Sequence, residues 1–210
     1  MTHRWEVAAR IAAERVVAVI RSSSQEEAIS IGRTLAEGGI SVLEVALTTP
    51  GGVDAIGVLA AELGDRCLVG AGTVLDEGMA TAAIRAGAQF MVSPNVALPV
   101  IRTGGRYGVP TLPGAATTTE IITALEAGAD LVKLFPASAL GLDYLKAILP
   151  VLPNVALVPT GGISAATARQ WLEAGAVAVG VGGSLTKGDP AAVGARAAEM
   201  VKAVRPVQLV

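Results

Sequence analysis

Short runs rich in Val, Ile and Leu alternate along the chain with longer runs rich in Ala and Glu, and the longer runs close at glycine. Gln25 to Glu37 reads as a helix and stops at Gly38-Gly39, and Met79 to Ala86 stops at Gly87. The same ending recurs at Ala127-Gly128-Ala129 and Ala174-Gly175-Ala176, each time just ahead of an apolar run. Glycine adopts the left-handed backbone that ends a helix without the steric cost a side chain would add. The repeating unit is therefore a strand joined to a helix.

The apolar runs are Val16 to Ile20, Val42 to Leu47, Leu68 to Val74, Phe90 to Pro94, Thr111 to Gly114, Asp130 to Pro136, Val155 to Thr160 and Val177 to Gly182. Strands alternating with helices need right-handed parallel crossovers, and eight such units close most economically into an α/β (β/α)8 TIM barrel. An open doubly wound sheet is the alternative. An additional N-terminal helix, Arg4 to Glu14, is expected to close the bottom of the barrel. No linker or low-complexity tract interrupts the pattern, so residues 1–210 are expected to form a single TIM-barrel domain with short loops.

Composition narrows the partners. Of the 210 residues 52% are hydrophobic and 16% charged, with a formal net charge of -2, which gives no long-range attraction to nucleic acid. The start, Met1 to Glu6, lacks the apolar core of a signal peptide, and no later stretch stays free of Gly, Pro and charge over a membrane-spanning length; a cytoplasmic protein with no membrane partner is expected. Cys67, the one cysteine, lies beside Leu68 and Val69 and reads as core filling. His3, the one histidine, lies by the terminus, so a His/Cys zinc cluster cannot form within one chain, and no metal site is expected, although carboxylate-bound magnesium stays open.

The chemistry starts at a lysine inside an apolar run, Asp130-Leu131-Val132-Lys133-Leu134-Phe135-Pro136. A buried ammonium without a partner is costly to desolvate, so such a lysine tends to shed its proton and become the nucleophile a Schiff-base enzyme requires; a strand-end lysine that snorkels to solvent is the competing reading. Side chains alternate along a strand, which in Val42 to Thr48 sets Leu43, Val45 and Leu47 outward and turns Glu44 inward with Ala46 and Thr48. Lys133 and Phe135 share the inward face of their own run. A carboxylate and an amine inside one barrel suit a nucleophile with its proton shuttle better than a stabilising ion pair, because burying both charges yields little net stability.

Thr73 closes Gly70-Ala71-Gly72-Thr73 at a catalytic strand end, and Arg21 follows the first run directly, where a solvated surface arginine is the plainer reading. The last two runs end in Pro159-Thr160-Gly161-Gly162-Ile163-Ser164 and Gly180-Val181-Gly182-Gly183-Ser184-Leu185. Small residues there expose backbone N–H groups where barrels of this type hold phosphate. A phosphorylated substrate follows.

With these motifs in order, joined by Val17-Ala18-Val19-Ile20-Arg21, Val92-Ser93-Pro94 and Leu112-Pro113-Gly114, the chain resembles the class I 2-keto-3-deoxy-6-phosphogluconate (KDPG) aldolases and their 4-hydroxy-2-oxoglutarate (KHG) relatives. The resemblance implies that Lys133 forms the imine and Glu44 is the general acid/base. It implies that Thr73, Pro94 and Phe135 line the pyruvyl site with Arg21 nearby, and that Thr160, Gly161, Gly162, Gly182, Gly183 and Ser184 hold the phosphate. It implies a phosphorylated 2-keto acid cleaved to pyruvate and glyceraldehyde 3-phosphate, no cofactor, and a homotrimer. Many relatives carry an arginine where this chain has Thr48, which leaves the contacts to the substrate carboxylate and the choice of substrate open. Pro94-Asn95 and Pro113 to Thr117 resemble the phosphogalactonate-cleaving branch, whereas the glycine-rich end of the eighth run resembles the phosphogluconate branch. A phosphate-binding isomerase or epimerase and a non-catalytic assembly scaffold are the competing classes.

Overall fold

The computed structural model describes residues 3–205. Strands run over β1 Val16–Ile20, β2 Val42–Ala46, β3 Leu68–Gly72, β4 Met91–Val92, β5 Thr111–Leu112, β6 Gly114–Ala115, β7 Val132–Leu134, β8 Leu157–Pro159 and β9 Val179–Val181. Helices are α1 Arg4–Glu14, α2 Gln25–Glu37, α3 Gly52–Leu63, α4 Glu77–Arg85, α5 Leu98–Tyr107, α6 Thr118–Glu126, α7 Ala137–Leu140, α8 Leu142–Ile148, α9 Ala165–Glu173, α10 Gly183–Thr186 and α11 Pro190–Val204. The starts are written in the sequence. Ser24, Asp76, Thr117 and Asp189 each precede a helix and accept a backbone N–H three residues on, at 2.8 to 3.2 Å. At the other end, Gly39, Gly87, Gly128 and Gly175 stand at φ of 92, 104, 96 and 108°, turning the chain out of a helix into the next strand.

The architecture is α/β with parallel pairing throughout. Six strands form one sheet in the order β5-β4-β3-β2-β1-β9, and β6-β7-β8 form a second. The fifth expected strand, Thr111 to Gly114, is two short pieces split at Pro113, which has no N–H to give the ladder. Across the seam between the sheets, Thr160 bridges Gly180, and Val177 N donates to Leu157 O at 3.0 Å. The other seam is the chain itself at Pro113, where Asp130 N and Leu131 N both donate to Thr111 O. Several strands are shorter than their apolar runs, because Val74, Phe135 and Thr160 lie past the last regular pairing.

The core has two parts. The larger lies between strands and helices and includes Leu43, Val45, Val69, Val132 and Leu134, the alternate residues of each strand. The smaller lies inside the sheet curvature, where Val17, Val42, Leu68, Phe90, Leu112, Leu131 and Val158 pack with Val7 and Ile11 of α1. Phe90 fills this space because Gly70 has no side chain; a methyl group there would stand 2.5 Å from the ring. Helix α1 thus covers the strands' N-terminal end, as expected from its place ahead of the first strand. The C-terminal end is left uncovered by α1.

Candidate active site

Strand β7 places Val132 and Leu134 in the outer core, fully buried, and turns Lys133 to the interior, where it is 8% exposed. Its neighbours in register are Gly114 of β6 and Val158 of β8. Gly114 offers bare backbone, and a side chain there would run into the Pro94 carbonyl and stand 2.9 Å from Asn95 N. The Pro94 turn therefore folds over the strand beside Lys133. Phe135, just past the strand, is half-buried, and the Lys133 Nζ lies 5.1 Å from its ring centroid, within the range of a cation–π contact. Snorkelling to solvent is not what this lysine does.

Glu44 is the inward residue of β2, 3% exposed between Leu43 and Val45, both fully buried. Burial raises its pKa above the ordinary carboxylate value, and the nearby charges of Lys133 and, to a lesser degree, Arg21 pull it back. Among the described residues the ion pairs are Arg4 with Asp130, Arg33 with Glu62, Arg106 with Glu77 and Lys146 with Asp143. Neither Glu44 nor Lys133 takes part in one. Among the described residues the two groups act on each other through their fields and not through a direct ion pair.

Thr73 is half-buried directly after β3 and holds φ of 58°, a left-handed backbone that a β-branched residue rarely adopts. Its hydroxyl accepts from Arg21 Nη2 at 3.4 Å, so Arg21, exposed at the end of β1, reaches across β2 to the same rim. Such strain persists where the surroundings dictate it, commonly at functional sites.

Thr48 departs from its expected position. Alternation along the run turns it inward, but β2 ends at Ala46, where Thr49 N turns back to Ala46 O at 2.9 Å ahead of Pro50-Gly51-Gly52. Thr48 is exposed on that turn and no longer shares the inward face with Glu44 and Ala46. Its neighbour Thr49 is buried, and its Oγ1 accepts from Ser22 N at 3.2 Å, pinning the turn to the loop after β1. Nothing in the sequence distinguishes the two threonines except the end of the strand.

The glycine-rich ends of β8 and β9 lie together. Ser184 donates its hydroxyl to Ile163 O at 2.6 Å and so ties one loop to the other. Gly161 and Gly162 both hold positive φ, 103° and 75°, ahead of α9, while Gly182 and Gly183 lead into α10. Thr160 differs from the rest: it is buried, its hydroxyl donates to Val158 O at 3.2 Å, and it fills the space left by Gly180. Ser184 and Thr160 thus give their hydroxyl protons to carbonyls, so what these two strand ends offer an anion from the glycine runs themselves is backbone N–H.

No local pattern in the sequence marks Arg196. From α11 it donates through Nε to Leu185 O at 3.3 Å and through Nη2 to Lys187 O, fastening the far end of α10. Cys67 is buried and its thiol is pushed up by desolvation, in keeping with core filling. Among the described residues no helix is long and apolar enough to cross a membrane.

A family model described as KDPG and KHG aldolase matches residues 7–199. The 2-dehydro-3-deoxy-6-phosphogalactonate aldolase of Escherichia coli is 37% identical over 193 residues, 90% of this chain and 94% of its own. The 2-dehydro-3-deoxy-phosphogluconate aldolase of Dickeya dadantii is 36% identical over 183 residues, 86% of this chain and 85% of its own. Among solved structures, the KDPG aldolase of Legionella pneumophila, with pyruvate captured as a covalent carbinolamine intermediate, superposes with a TM-score of 0.81 at 33% identity, covering 94% of this chain and 95% of that one.

Proposed function

The chain belongs to the KDPG and KHG aldolase family, and from that premise we propose that it cleaves 2-keto-3-deoxy-6-phosphogluconate to pyruvate and glyceraldehyde 3-phosphate through an imine on Lys133, with Glu44 as acid and base. The observation that carries this reading is a buried lysine, without an ion-pair partner among the described residues, sharing one interior with a buried carboxylate. The carbinolamine in the Legionella relative supports the same chemistry for the family.

The free amine of Lys133 attacks C2 of the keto acid, and Glu44 shuttles protons as the carbinolamine loses water to a protonated imine. Glu44 then takes the C4 hydroxyl proton; the C3–C4 bond breaks, its electron pair enters the imine to form an enamine, and glyceraldehyde 3-phosphate leaves. Protonation at C3 and hydrolysis release pyruvate and restore the amine. No metal or organic cofactor enters these steps. Arg21 and Thr73 hold the carboxylate end, Pro94 and Phe135 bound the pyruvyl group, and the N–H groups of Gly161, Gly162, Gly182, Gly183 and Ser184 receive the phosphate, with Thr160 shaping the wall behind them. On this reading the two sheets close into one (β/α)8 barrel, supported by the Thr160–Gly180 bridge and the bonds to Thr111 O.

The phosphogalactonate substrate, which differs at C4, is the second reading, favoured by the similarity to the Escherichia coli aldolase. Parallel cleavage assays on phosphogluconate, phosphogalactonate and 4-hydroxy-2-oxoglutarate substrates decide between them. Lys133→Ala is expected to abolish turnover and to leave no borohydride-trapped pyruvate adduct. Near-normal turnover in that variant would sink the imine mechanism. A homotrimer is expected by family likeness, and a solution mass three times the 21.0 kDa chain would bear it out.

A further inference from the structure

We infer that Gly72 is a positioning residue for the acid/base step: the side chain it lacks is the space through which Glu44 reaches the catalytic end of the strands. The inference rests on the acid/base reading of Glu44 and adds what sets the height at which that carboxylate works.

The register makes the point. Glu44 pairs in the ladder with Gly70, and Ala46 pairs with Gly72. A side chain projecting straight inward from Glu44 would therefore sit at the level of Gly70, next to the Phe90 ring that covers that glycine. The carboxylate is found elsewhere. A methyl group built on Gly72 would collide with Glu44 Oε1 and stand 2.7 Å from both its Cδ and its Cγ. The outer part of the Glu44 side chain thus leans away from the level of its ladder partner Gly70 toward Gly72, the next inward-facing position on the way to the C-terminal ends of the strands.

The two glycines of Gly70-Ala71-Gly72 consequently have different work. Gly70 admits Phe90, which fills the interior below, and Gly72 admits Glu44, which leans upward over it. Phe90 is fully buried. With the lower space filled and the upper space open, the glutamate has one direction to lean. A methyl group at position 72 would close that direction and push the carboxylate off the proton path, while leaving Lys133 on β7, outside the contact. Proton transfers tolerate little displacement, because donor and acceptor must come within hydrogen-bond reach.

Gly72→Ala is therefore expected to lower kcat by ~10²-fold, with KM within about twofold, and to flatten the pH dependence that Glu44 imposes. Pyruvate and borohydride should still label Lys133 on long incubation. In a Glu44→Gln background the same change should add less than about twofold, since its route of action is already gone. Equal losses in both backgrounds would mark a general disturbance of the strand and overturn the inference. So would near-normal turnover of Gly72→Ala beside a crippled Glu44→Gln, with the acid/base reading left standing; near-normal turnover of Glu44→Gln would overturn that reading and the inference together. Should Gly72→Ala fold poorly, thermal melting supplies the check: trimming Glu44 to Ala in that variant should raise its melting temperature, and a double variant no more stable than Gly72→Ala would show that the new methyl group does not meet Glu44.

Discussion

Glu44 and Thr73 both hold unfavourable conformations or environments that the proposed chemistry needs, and each can be tested separately. Burial raises the Glu44 pKa above 4.5, and the charges of Lys133 and Arg21 only partly oppose this. A carboxyl group whose pKa is higher folded than unfolded favours folding when protonated, and that contribution is lost as pH rises through the folded value. Glu44→Gln, which stays neutral, is therefore expected to be more stable than the parent at pH 7. The difference should shrink as pH falls toward 4.5. Urea midpoints across that window check it, and a constant difference would mean the charge is not the cause. Thr73 stores its strain in the backbone: its φ of 58° suits glycine and costs a β-branched residue about 1 to 3 kcal/mol. Thr73→Gly is expected to gain about 1 kcal/mol in chemical denaturation while raising the KM for substrate, since the hydroxyl that meets Arg21 is gone. Glu44 was legible because alternation along a strand is strict. The strain at Thr73 was not, since a backbone angle imposed by the packing around a turn has no counterpart in the residue's own preference.

At the scale of elements, the strand and helix order was readable because the punctuation is local: a capping Ser, Thr or Asp before a helix and a glycine after it. Strand ends were less so. An apolar run continues past the assigned end of a strand where the following residue is also buried and still bonded across, as at Val74 beyond β3, whose N–H donates to Val92 O at 3.0 Å, and a strand can stop two residues before the alternation suggests, as at Ala46 ahead of Thr48. Long-range clamps were out of reach. Arg196 lies on α11 among alanines and glycines and acts on α10, with no local pattern to mark it. Its guanidinium holds the Leu185 and Lys187 carbonyls, and Ser184 at the start of the same helix is tied to Ile163. Arg196→Ala should therefore loosen the segment proposed to receive the phosphate. The expected result is a KM about tenfold higher for the phosphorylated substrate, as the loss of a charge-assisted hydrogen bond implies, with little change for 4-hydroxy-2-oxoglutarate. Equal effects on both substrates would place the role of Arg196 in general stability.

Across the whole molecule, the two ends of the strands divide the work. The C-terminal end carries Lys133, Glu44, the strained Thr73 and the paired glycine loops, while the N-terminal end is filled by Phe90, Leu68 and Val42 beneath Val7 and Ile11 of α1. The division was legible in outline, since eight apolar runs and a leading helix imply one end for closure and one for chemistry. The choice between substrates epimeric at C4 was not, because it depends on a few side-chain positions that relatives of both branches, 37% and 36% identical to this chain, do not separate by overall similarity. The division makes its own prediction. Ile11 is fully buried in the inner cluster and far in the strand direction from Lys133. Truncating a buried isoleucine removes apolar contact and leaves a cavity, at about 2 to 5 kcal/mol. Ile11→Ala is thus expected to lower the unfolding free energy by that amount, read from denaturant titration, while kcat and KM, measured well below the new midpoint, stay within about twofold of the parent. A large loss of kcat in a variant that remains folded would mean that α1 supports the chemistry through the interior packing, and that the two ends are coupled rather than divided.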